Sequence, residues 1–79
     1  MDAKRELLNK LISERMELKQ KYDALQDKLV QYSLGHCELT GGYAQYVLMT
    51  RQRITMREYL DILGKRIDAL KESEVKKNG

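Results

Sequence analysis

Residues 33–42 read SLGHCELTGG, and here an otherwise unbroken helical pattern stops. The stretch holds Gly35, Gly41 and Gly42, the only glycines before Gly64, in a chain with no proline. Glycine reaches left-handed backbone conformations without steric penalty, so Gly35 can end a helix arriving from upstream. Thr40 is placed to cap a helix leaving downstream. The chain is expected to turn here.

Upstream, residues 2–32 contain no glycine and are dominated by Leu, Lys, Glu, Gln, Arg and Ala, the strong helix formers. Leu8, Leu11, Leu18, Tyr22, Leu25, Leu29 and Tyr32 recur at three- and four-residue steps, a coiled-coil-like seam interrupted at Arg15. Downstream, over residues 43–72, Tyr46, Met49, Met56, Leu60, Leu63, Ile67 and Leu70 repeat the pattern, with Arg53 in the seam. The tail, residues 73–79, offers no apolar repeat and is expected to fray. Gly64, inside the second helix, costs about 1 kcal/mol against alanine and is read as a mark of close helix contact.

The sequence therefore predicts an all-α fold: one domain over residues 1–79, with helix 2–32, turn 33–42, helix 43–72 and tail 73–79. Helices of about thirty residues joined by a short turn pack antiparallel, as a rod of about 45 Å. Folded about residues 37–38, the hairpin sets Arg15 level with Tyr59 or Leu60, and Arg53 level with Tyr22. Leu7, Ile12, Val30, Val47, Tyr59 and Ile62 flank the seams and have no partner within a single hairpin. A chain of this size buries only about 60% of its unfolded surface. A homo-oligomeric helical bundle, with a dimer making four helices, is the expected remedy.

Composition narrows the chemistry. With one Cys (Cys37) and one His (His36), the chain cannot close an internal disulfide or build a four-ligand structural zinc site. His36 and Cys37 are adjacent in the turn, where neighbouring side chains point apart, and no Gly-rich phosphate loop or nucleophile elbow is present. No enzyme activity, metal or cofactor is expected. No apolar stretch approaches the roughly 20 residues that span a bilayer, and charges interrupt the N-terminal segment, so neither a membrane helix nor a signal peptide is expected. That reading favours the cytoplasm.

The net charge of +3 is unevenly placed. Residues 1–39 balance, seven Lys and Arg against seven acids, whereas Tyr43 to Arg57 carries Arg51, Arg53 and Arg57 with no acid at all. Guanidiniums bind phosphate oxygens bidentately and tyrosine rings stack on bases, so Arg51, Arg53 and Arg57 with Tyr43 and Tyr46 form a candidate nucleotide site. The start of the second helix also favours anions. An alternative is that Arg15 and Arg53 run along the apolar surface to water or to Glu14, Glu17 or Glu58, fixing register. Duplex DNA is not favoured. The sequence pI of about 9.1 only reaches the threshold of dedicated basic modules, and acids alternate along the first helix.

The second helix, VLMTRQRITMREYLDILGKRI, resembles the closing segment of a family of small α-helical hairpin proteins encoded by bacteriophages. Leu48, Arg51-Gln52, Met56, Glu58-Tyr59, Leu63-Gly64 and Arg66-Ile67 carry the likeness. Gly41-Gly42-Tyr43 stand where that family's linker carries acidic residues. The resemblance implies a phage protein acting in the cytoplasm of a bacterial host, and favours Glu58, Tyr59 and Arg66 as shared features. Tyr59 thereby joins the candidate ligand set. Small helical phage proteins of similar architecture counter host immunity by sequestering cyclic nucleotide signals within an oligomer. The leading expectation is such a counter-defence protein. The alternative is a non-enzymatic helical bundle that binds a host or phage protein.

Overall fold

A computed structural model describes the backbone of residues 2–78 and the side chains of residues 2–72. The chain forms two helices, α1 (Ala3–Ser33) and α2 (Gly42–Asn78), packed side by side as a hairpin. Its dimensions are 55 × 18 × 16 Å, longer than the expected rod because α2 alone has 37 residues at about 1.5 Å each. The frayed tail expected over 73–79 falls outside the residues whose side chains are described.

Local sequence accounts for three of the helix ends. Asp2 stands just outside α1 in an extended conformation, and its carboxylate accepts hydrogen bonds from the backbone N–H groups of Lys4 at 3.1 Å and Arg5 at 3.4 Å. At the other end, His36 N–H donates to the Gln31 carbonyl at 2.8 Å and Gly35 N–H to the Tyr32 carbonyl at 3.0 Å. These two bonds make a Schellman motif, which requires the left-handed Gly35, here at φ 78°. Gly41 and Gly42 also have positive φ, and a Cβ on Gly41 would run into the Gln45 side chain. The start of α2 is set by this backbone geometry and by Gly42 N–H donating to the Leu39 carbonyl, with no hydrogen bond from the Thr40 side chain.

The best-packed part of the hairpin lies toward its open end. Leu11, Leu63 and Ile67 are buried together, with Leu8, Leu18 and Leu70 against them, and Leu63 is 0% exposed. Each leucine so buried contributes about 1.5–3 kcal/mol. Nearer the turn, Leu29 and Leu60 are buried, and Leu39 closes the loop itself with a third buried leucine.

Arg15 separates these regions. Its Nε donates to the Leu60 carbonyl at 3.3 Å, and a Cβ placed on Gly64 would sit 3.5 Å from that nitrogen. Instead of the close helix contact expected there, Gly64 lies under a guanidinium from α1 with room for a methyl group at ordinary contact distance. Arg15 meets no carboxylate among the described residues; it reaches a backbone oxygen at the height the hairpin register predicted. The six flanking apolar residues are all exposed, from Ile12 at 37% to Ile62 at 52%.

Candidate functional site

Along α2 from Arg53 to Ile62, with Tyr22 of α1 at its side, the surface opens into a groove of about 690 Å³. Tyr22 projects into it from α1, and Arg53 and Arg57 from α2. Residues 53 and 57 are one helical turn apart on α2 and therefore share a face. Tyr22 and Arg53 lie level because the chain folds back where the glycines allow it. A second concavity of about 630 Å³ continues past the same Tyr22, Arg53 and Arg57 toward Arg15 and Lys19. The two share Tyr22, Arg53, Arg57 and Asp61 and together form one depression on the rod.

The charges along it are not mutually cancelled. Asp23 is held by Lys19 at 2.7 Å, and Asp61 by Lys65 at 3.0 Å, each four residues away on its own helix. Lysines therefore occupy two of the acids that line the depression. Among the described residues, Arg53 and Arg57 have no ion pair and donate no hydrogen bond, although Arg53 is part-buried. A part-buried guanidinium without a partner loses hydration that nothing in the fold replaces. Oxygen-rich anions are the natural complement of that guanidinium together with the exposed one of Arg57, one turn away. Ile54 and Ile62 supply an apolar border.

The other candidate residues lie elsewhere. Tyr46 is part-buried against Tyr32, ring centroids 4.9 Å apart, and Tyr43 stacks on Tyr46 at 6.0 Å. These rings form a ladder at the turn end, with Tyr43 70% exposed at its tip. Tyr59 is exposed, and like Arg51 it does not line the groove. Of the six candidates, the structure brings together Arg53 and Arg57. It adds Tyr22, whose position beside Arg53 was readable from the hairpin register but was there assigned only to the seam. It also adds Asp61 and Glu58, the latter considered from the sequence only as a carboxylate an arginine could reach and as a feature of the resemblance.

The described residues contain no helix long and apolar enough to cross a membrane. Comparison with known proteins gives a match to the model of the family described as Sequestin over residues 5–69, most of α1 together with α2 through the leucine-packed end. The family name points to sequestration, a binding role rather than a catalytic one. No curated protein and no solved structure matches the chain.

Proposed function

We propose, from the premise that this chain belongs to the Sequestin family, that it binds and withholds a cyclic nucleotide immune signal in a pocket completed by its homo-oligomer. In this reading it is a phage-encoded counter-defence protein working in the cytoplasm of a bacterial host. The observation that carries the reading is the pair of unpartnered guanidiniums, Arg53 and Arg57, facing one groove with Tyr22. A cyclic nucleotide has the two features this set complements: phosphodiesters for the arginines and flat bases for the tyrosine. The groove of a single hairpin is open to solvent on one side. A second copy seated over the exposed Ile54 and Ile62 would close it and remove those side chains from water. Oligomerisation and ligand capture then use adjoining surfaces.

Native mass spectrometry with a mixture of cyclic di- and trinucleotides tests the reading. The expected result is an oligomer that gains discrete ligand masses. A captured ligand at 100 times its dissociation constant should also raise folding stability by roughly 2.7 kcal/mol. Arg53→Ala and Arg57→Ala should each weaken capture about tenfold or more while the oligomer persists. An unchanged mass and an unchanged melting temperature at saturating nucleotide would remove the proposal. The reading that remains is then a bundle that docks on a host or phage protein. The exposed Val47, Leu48 and Ile62 favour it, and their substitution would weaken such docking.

A further inference from the structure

We infer that the outer face of α2 is where a second copy of this chain docks, antiparallel and about a two-fold axis. The inference rests on the reading above only for its second copy, and takes nothing from it about the ligand. Val47, Arg51, Ile54, Glu58 and Ile62 follow one another along α2 at steps of four, three, four and four residues. At about 100° per residue they fall within about 80° of one another, on the side of α2 roughly opposite Leu63 and Ile67, which pack against α1. All five are exposed, the apolar three at 40% (Val47), 51% (Ile54) and 52% (Ile62). One helix thus carries two apolar stripes, and the hairpin covers only one of them.

Arg51 and Glu58 stand two turns apart on the uncovered stripe, too far to pair with each other. Neither side chain has an ion pair or hydrogen bond among the described residues.

The order of these residues identifies the occupant. Read from either end, the stripe runs apolar, charged, apolar, charged, apolar, and its two charges have opposite sign. A second α2, turned end for end about an axis between Ile54 and Thr55, sets its Ile62 on Val47, its Glu58 against Arg51 and its Ile54 beside Ile54. Two-fold symmetry makes each of the unlike pairs twice. A parallel pairing in register would instead oppose Arg51 to Arg51 and Glu58 to Glu58. An unrelated partner would require no such reciprocity. Ile54, Glu58 and Ile62 also border the groove, so the second copy's α2 stands beside Arg53 and Arg57 as a further wall. Arg51, which the groove does not use, has its role here.

Sedimentation equilibrium of the full chain over a concentration series, with charge reversals on this stripe, tests the contact. The wild type should form a dimer or an even-numbered assembly built on it. Arg51→Glu and Glu58→Arg should each weaken association about tenfold or more, because each sets like charges face to face twice. Both alter exposed helix positions and should leave the circular dichroism spectrum unchanged. Position 51 of one copy meets position 58 of the other, so mixing the two variants in equal amounts should restore association as a hetero-pair. The double reversal within one chain should restore it too. A wild type that stays monomeric throughout overturns the inference. So do single reversals that associate like the wild type, or a mixture and a double reversal that recover nothing. A restored assembly that gains no nucleotide mass removes the capture reading and leaves this contact standing, whereas a monomer that captures nucleotide removes this contact and leaves capture standing.

Discussion

The two halves of this hairpin solve the same packing problem differently. At the open end, α1 and α2 meet through leucines and one isoleucine, and the interface is dry enough to leave Leu63 with no exposed surface. In the middle, at positions where the heptad would continue with apolar side chains, the chain places Arg15 and Arg53. The first arginine is absorbed by the fold, through the Leu60 carbonyl and the space over Gly64. The second is not. Identical chemistry at two seam positions thus has two outcomes, and the difference lies in what the opposite helix provides. Beside Arg15 the opposite helix supplies a bare backbone; beside Arg53 it supplies a tyrosine ring and one aspartate, Asp23, already bound by Lys19.

That contrast can be broken at its strong side. Leu63→Ala empties the best-packed position and should cost about 2–5 kcal/mol, a large part of what a chain of this size has. Denaturant unfolding should show the loss, and a change under about 1 kcal/mol would mean that the open end is not what holds the hairpin. The weak side should respond with the opposite sign. Arg53→Leu restores the apolar repeat and should raise stability by about 1 kcal/mol while weakening the proposed nucleotide capture about tenfold or more, since a part-buried unpaired charge is exchanged for buried hydrocarbon. A destabilised Arg53→Leu would reveal a partner for that guanidinium within the fold. The smallest change tests the boundary between the halves. Gly64→Ala should stabilise by up to about 1 kcal/mol through helix propensity, because the added methyl meets the Arg15 Nε at ordinary contact distance. Thermal melts of the single variant and of Gly64→Ala combined with Arg15→Ala would separate propensity from contact.

The hairpin was legible because its signals are local and repeated: two long runs without helix breakers, and three glycines between them. Register was legible to about a turn, since the loop is short. That sufficed to place Arg15 near Leu60 and Arg53 near Tyr22. What the pattern could not supply was the destination of each guanidinium. Sequence suggested nearby carboxylates or water for Arg15, whereas the structure uses a backbone oxygen, a group every residue carries and no pattern distinguishes. The tyrosines divided for a similar reason. All are compatible with stacking on a base, but Tyr43 and Tyr46 find each other and Tyr32 before they could reach the arginines. The resemblance rested on Val47 to Ile67 alone, whereas the Sequestin match begins at residue 5. The part α1 plays could not be told from that of any charged amphipathic helix until its contacts with α2 were in view.

The position of the leucine-packed end bears on the order in which the chain folds. Contacts beside the turn close only the short 34–41 loop, whereas Leu11 and Ile67 are separated by most of the sequence and must bring nearly the whole chain into register before they touch. Closing the longer loop costs more conformational entropy before any contact repays it. The hairpin therefore zips from the glycines outward, past the arginine groove, and its strongest contacts form last, as a clasp. A cut within residues 34–41 would strip that clasp of its tether and make pairing of the two helices a matter of concentration.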